Sequence, residues 1–137
     1  MDSLIVQEKL ESLRRCVARI ELRRAASVAA LMADPDTQDI IVLNLTRAIQ
    51  LCIDIGTHII SHSESDTPRS MTEVFDALAK LGRISQSTAA AMRKAVGFRN
   101  IAVHNYGELN WEIVQTISRD RVKDFQQFAR EVAKDLP

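Results

Sequence analysis

Glycine, proline and aromatic residues are scarce: four, three and six respectively in 137 residues. Leu, Ala, Ile, Val, Arg and Glu dominate instead, a composition that favours helices over sheets. Two cysteines, Cys16 and Cys52, fall at apolar-patterned positions with no CxxC or Cys/His ligand spacing. They read as buried reduced thiols of a cytoplasmic protein, not as a disulfide framework or a metal centre. Net charge is also absent, with 18 basic against 18 acidic residues. A protein that coats nucleic acid non-specifically is far more basic, so any nucleic-acid contact must come from a local patch. No apolar run approaches bilayer-spanning length, and the N-terminus alternates charge with leucine instead of forming a signal peptide, so no membrane role is expected. What is abundant is hydrophobic residues, 46% of the chain, enough for a real core in a single domain over 1–137.

Helical periodicity runs through most of the chain. Leu10, Leu13, Val17 and Ile20, led in by Leu4 and Val6, predict an amphipathic helix over 3–24. Arg15, Arg19 and Arg23 form a second stripe on it, either a solvated face or a basic rail for RNA or an acidic partner. A short helix within 25–33 precedes a break at Asp34-Pro35-Asp36. The next helix is expected over 36–62, capped by Asp36 or Thr37, with Asp39 suited to its positive end. Its apolar residues fill more than one stripe (Ile41, Leu45, Ala48, Cys52, Ile55 and Ile59, widened by Ile49, Ile53 and Ile60). That predicts burial on two sides, as the centre of a bundle or with a dimer interface included. Arg47, Asp54 and His58 recur near one face of this helix. Asp54 and His58 read as metal ligands, as a structural pair, or with Asp54 orienting a catalytic residue from another helix.

Beyond a polar loop with Pro68, Ser70-Met-Thr-Glu73 has the form of a capping box, and Gly82 that of a helix stop. Ser85 or Ser87 opens another helix, with Ala89, Met92 and Val96 as apolar points and a local break expected at Gly97-Phe98. Asn110 caps a last helix over 111–134, whose apolar face is Ile113, Ile117, Val122, Phe125, Phe128 and Val132. The expectation is an all-α bundle of about four to six helices.

Arg99-Asn-Ile-Ala-Val-His104-Asn-Tyr106 carries the chemistry. Arginine holds phosphate through paired hydrogen bonds and stays charged, and histidine moves protons near neutrality. Those two groups suffice for RNA cleavage without a metal, because the ribose 2′-hydroxyl supplies the nucleophile. On a helical turn the five-residue spacing is expected to bring Arg99 and His104 to one side with a small angular offset. Tyr106 is expected to converge with them if the backbone opens near Gly107. The plain alternative is that Arg99 and His104 cap or pair near a helix end.

With this motif go Lys9-Leu-Glu-Ser-Leu13, Asn44-Leu45, Ala48-Ile-Gln50, Ile53-Asp-Ile55, His58-Ile-Ile60, the Pro68 loop leading to Phe75, and Val96-Gly-Phe-Arg-Asn100. Over nearly its whole length the chain resembles the HepT-like toxins of the HEPN superfamily. The resemblance implies a homodimeric, metal-independent endoribonuclease needing no cofactor, the toxin of a type II toxin–antitoxin system. In it Arg99 and His104 are catalytic: Arg99 stabilises the scissile phosphate, and His104 transfers protons at the 2′-hydroxyl or the 5′-oxygen. Asn100 and, less directly, Asp54 support them. It also implies a partner, an MntA-like minimal nucleotidyltransferase antitoxin that transfers AMP from ATP onto Tyr106. Tyr106 is then both a wall of the RNA site and a modification acceptor, and the added bulk and negative charge block the substrate phosphate. Two other functions compete: a non-catalytic helical nucleotide- or partner-binding module, and a purely structural dimeric bundle in which Arg99 and His104 bridge subunits.

Overall fold

The computed structural model describes residues 2–136, and those residues form helices and loops with no strand. Helix α1 spans Ser3–Arg23, its N-terminus closed by the Asp2 side chain accepting from the Leu4 N–H. Val6, Leu13, Cys16, Val17 and Ile20 are its buried residues, while Leu10 is only half-buried and Leu4 faces solvent. A five-residue α2, Val28–Met32, leads to the long α3, Pro35–Ser61. Asp34-Pro35-Asp36 starts α3 instead of breaking the chain. Asp34 is the cap, accepting from Thr37, and Pro35 occupies the first turn, where its missing N–H costs nothing.

Helix α3 is the axis of the bundle. All nine apolar positions expected to be buried are buried, and α1, α2, α4, α5 and α7 pack around it. Its double width is therefore consumed within one protomer, which removes the sequence argument that α3 needs a second copy. Its 27 residues are long and apolar enough to cross a membrane by length and composition, contrary to expectation, but that surface is spent on the core.

Helix α4, Met71–Lys80, opens with Ser70 accepting from the Glu73 N–H, and Glu73 answers by accepting from the Arg69 N–H. Gly82 then adopts a left-handed backbone, φ 73°, where a side chain would be strained. Helix α4 lies close against α3 because Gly56 has no side chain: a Cβ there would sit 2.5 Å from Val74 Cγ1 and 2.9 Å from Leu78 Cδ1.

Helix α5, Gln86–His104, is capped by Ser85 and runs without a break through Gly97 and Phe98. Phe98 is buried, so the expected interruption is instead an anchor point. Glu131 accepts from the Ser85 N–H and the Thr88 hydroxyl and pins the start of α5 to the last helix. Burial would raise the Glu131 carboxyl, but these hydrogen bonds outweigh it and hold it below its usual value.

The final rod is α6, Trp111–Thr116, a π turn at Ile117–Arg121, and α7, Val122–Ala133. At the π turn Arg24 Nη1 donates to the Ser118 carbonyl, and Gln115 Nε2 just before it donates to the Ala25 carbonyl. Val122, Phe125, Phe128 and Val132 face the core as expected, Ile117 is half-buried, and Ile113 is exposed while its neighbour Val114 is buried.

Substituting Gly56→Ala is expected to lower stability by about 1–2 kcal/mol, the helix-propensity gain being smaller than the overpacking against Val74 and Leu78. Chemical denaturation reads this directly; an unchanged or raised midpoint would contradict the close α3–α4 approach.

Candidate active site

Helices α3 and α5 run antiparallel. Ile49 shares one groove with Ala95 and Phe98, and the start of α3 meets the turn beyond α5. Burial of Phe98 and Ala102 fixes which face of α5 turns inward, so Arg99, Asn100, Ile101, Val103 and His104 occupy the outward arc. In a continuous α-helix a five-residue step turns about 140° and rises about 7.5 Å. Arg99 and His104 therefore stand on opposite flanks of that arc, not at the small offset expected from spacing, because five residues overshoot one 3.6-residue turn by about 140°. Asn100 lies between them, and its Oδ1 accepts from Arg99 Nη1 at 3.1 Å, drawing the guanidinium toward the histidine flank.

The helix ends directly after His104. Asn105 takes an extended φ of −152°, and Tyr106–Glu108 make one 3₁₀ turn. The backbone thus opens one residue before Tyr106, not at Gly107. The redirected phenol donates to Asp39 Oδ1 at 2.7 Å, and its ring meets Trp111 edge-on with centroids 6.0 Å apart. Burial, then the hydrogen bond to Asp39 and the charge of that carboxylate, push the Tyr106 phenol up to about 12. Tyr106 remains 40% exposed, so another macromolecule can reach it. Neither Asp39 nor Trp111 was singled out from sequence as a site residue. Asp39 looked like an ordinary helix-start carboxylate, and no local pattern pairs residues 67 apart.

Asp54 lies elsewhere. It accepts from Gln50 Nε2 at 2.8 Å on the α1-facing side of α3 and shares a surface trough with Arg15, Arg19 and Arg47. Fifteen residues separate it from Asp39, a rise of about 22 Å along α3, so within one protomer it stands far from the Tyr106 end of the motif. His58 Nε2 accepts from the Asp2 N–H, and the His58 and His62 rings meet at a tilt of 49° near the far end of α3. No group of three His, Cys, Asp or Glu among the described residues can hold a metal. Cys16 and Cys52 are free and buried, and burial pushes both thiols up, Cys52 strongly.

His104 and Tyr106 are exposed, and Arg99 is half-buried beside them. Beside them lies an apolar groove of about 580 Å³ between α5 and the final rod, with the half-exposed Ile101 and Ile113 on its rim.

Three comparisons bear on this arrangement. The model of a family described as ribonuclease HepT-like matches residues 6–132. The chain is 36% identical over 124 residues to a protein named mRNA nuclease HepT from Shewanella oneidensis, covering 90% of this chain and 92% of that one. Its fold superposes with a TM-score of 0.89 on the tri-AMPylated Shewanella oneidensis HEPN toxin solved in complex with MNT antitoxin. That toxin is 34% identical, with 96% of this chain and 98% of the other covered. A toxin–antitoxin structure with AMP-PNP gives a TM-score of 0.86 at 34% identity, over 93% of this chain and 97% of that one.

Tyr106 is the chain's single tyrosine, so its ionisation can be followed by ultraviolet absorbance without ambiguity. It should stay protonated at a pH of about 11, where an ordinary tyrosine is largely ionised, and Asp39→Asn should bring its midpoint down toward about 10. Because the folded-state value is raised, the phenol's contribution to stability is complete below the unfolded value and is lost as pH climbs from about 10 to about 12. An ordinary midpoint in the wild type would contradict the Asp39–Tyr106 bond.

Proposed function

Because the chain belongs to the ribonuclease HepT-like family, we propose that it is the toxin of a toxin–antitoxin pair, a metal-independent endoribonuclease acting in the cytoplasm. An MntA-like antitoxin silences it by transferring AMP onto Tyr106. The observation that carries this reading is the intact Arg99-x4-His104-x-Tyr106 run, displayed at the exposed end of α5 in a chain whose relatives carry these names.

Cleavage needs four events: proton removal from the 2′-hydroxyl, attack on the adjacent phosphorus, stabilisation of the charge gathering on the non-bridging oxygens, and proton delivery to the departing 5′-oxygen. Arg99, held by Asn100, supplies the charge stabilisation. His104 supplies proton transfer, and the products are a 2′,3′-cyclic phosphate and a 5′-hydroxyl. One protomer brings only one histidine to the motif, on the opposite flank of α5 from its arginine. A second copy, packed across the outward arc of α5 with Ile101 and Ile113 in contact, supplies the missing wall. It sets the arginine of each copy toward the histidine of the other, and in each such pair the one histidine takes the 2′-hydroxyl proton and then delivers a proton to the 5′-oxygen. The homodimer face thus lies on α5 and α6. Joining the two motifs also concentrates positive charge on a neutral protein, where RNA is bound.

Modification acts on the same surface. An AMP on Tyr106 places a phosphodiester and a nucleoside two residues beyond His104, filling the cleft and repelling the incoming RNA phosphate.

Purified unmodified protein should cleave total RNA in EDTA, leaving cyclic-phosphate ends. Arg99→Ala and His104→Ala should each remain folded and lose at least about 10²-fold in rate. Full activity in either variant would remove that residue from the chemistry. Absence of cleavage by the wild type, with its intact mass unmodified, would favour a binding module. Ile113→Asp should yield a monomer that does not cleave RNA; an active monomer in sedimentation analysis would contradict the shared cleft.

A further inference from the structure

The Tyr106–Asp39 bond joins the end of α5 to the second turn of α3, and the nuclease chemistry makes no use of it. As a tether it is weak. Both residues are exposed, and a hydrogen bond open to water adds little to stability. Asp39 is also uncommitted: among the described residues it pairs with no arginine, lysine or histidine, and only its Oδ1 is engaged, by the phenol. A free carboxylate held 2.7 Å from the hydroxyl that must become a nucleophile is the arrangement of a general base and its substrate.

Resting on the reading of Tyr106 as the AMP acceptor, we propose that Asp39 is the toxin's own general base for its modification, taking the phenolic proton as the oxygen attacks ATP. The Oη–Pα bond forms, the bond from Pα to the bridging oxygen of pyrophosphate breaks, the proton passes to Asp39 Oδ1, and pyrophosphate leaves. The electronic setting agrees. Asp39 makes the resting phenol harder to ionise, so attack through a preformed tyrosinate is suppressed and the proton must leave during bond formation. Once modified, the oxygen has no hydrogen to donate, and the new phosphodiester repels the carboxylate. The clip between α5 and α3 therefore opens only in the silenced protein. On this account the acceptor and its base both belong to the toxin, and the antitoxin contributes the nucleotide.

The test compares wild type, Asp39→Asn and Asp39→Ala. Each is incubated with the MntA-like nucleotidyltransferase at saturating concentration, ATP and magnesium, between about pH 6.5 and 9. Intact mass follows AMP transfer, and RNA cleavage by the unmodified proteins is measured in parallel. Both variants should cleave RNA within about threefold of wild type yet accept AMP at least about 10²-fold more slowly at neutral pH. The Asn variant keeps a hydrogen-bond acceptor, so its phenol stays in place. Its rate should rise about tenfold per pH unit as tyrosinate becomes the only attacking species, while the wild-type rate stays flat. An Asn variant modified at the wild-type rate overturns the proposal, as does equal slowing at every pH, which marks a positioning contact alone. If wild type itself gains no adenylyl mass on Tyr106, the underlying reading of the acceptor fails, and this proposal fails with it.

Discussion

Burial of α3 on nearly every side dictates how the helices packed around it lie. A helix with that much apolar surface must be wrapped, and α1, α4, α5 and α7 do the wrapping. Helix α5 can lie against it only with Phe98 and Ala102 turned inward. That single rotational choice exposes His104 and Asn100 and leaves Arg99 half-buried beside them. It also fixes where α5 ends, beside the first turns of α3, and so brings Tyr106 to Asp39. The polar chemistry is thus a consequence of apolar packing, and Glu131 at the other end of α5 keeps the rod in register.

This geometry changes what a single protomer can do. On an unbroken helix the arginine and histidine of the motif diverge, and the surface between them is open. The neighbouring apolar groove and the exposed Ile101 and Ile113 give that surface a reason to meet another copy. In the proposed dimer, phosphate binding, proton transfer and modification converge on one cleft, and on that proposal control by AMP needs no conformational relay, because a modified Tyr106 would stand where the substrate must lie.

Much of the fold was legible because helix signals are local. The Ser70–Glu73 box, the Gly82 stop, the Ser85 and Asn110 caps and the wide stripe of α3 each act within a few residues. The errors arose where tertiary packing overrides a local rule. Gly97 is helix-weakening in isolation, but Phe98 beside it is buried, and the anchored helix continues. Pro35 reads as a breaker until Asp34 is seen to cap the turn it begins. Ile113 looks like a core residue on a regular 3.6 period, yet it lies outside and Val114 takes the inner position. The motif residues Arg99, His104 and Tyr106 were visible as types in a row, and their placement on one exposed end of α5 follows from the helix. Asp39 and Trp111 were not, since their role depends on contacts between elements that no sequence window spans. Asp54 shows the converse: a suggestive residue on the right helix, held by Gln50 a long way down its axis.

If one cleavage site is assembled from two copies of α5, mixed dimers will reveal it. Arg99→Ala and His104→Ala subunits, each inactive alone, are co-expressed with different tags, and the heterodimer is isolated and assayed on RNA in EDTA. In a site that sets the arginine of one copy against the histidine of the other, the mixed dimer regains one complete arginine–histidine set. Its activity should rise well above that of either parent, toward about half of wild type, because one of two equivalent combinations is restored. A mixed dimer as inactive as its parents would mean that each protomer works with its own arginine and histidine, and the account of a shared cleft would be wrong.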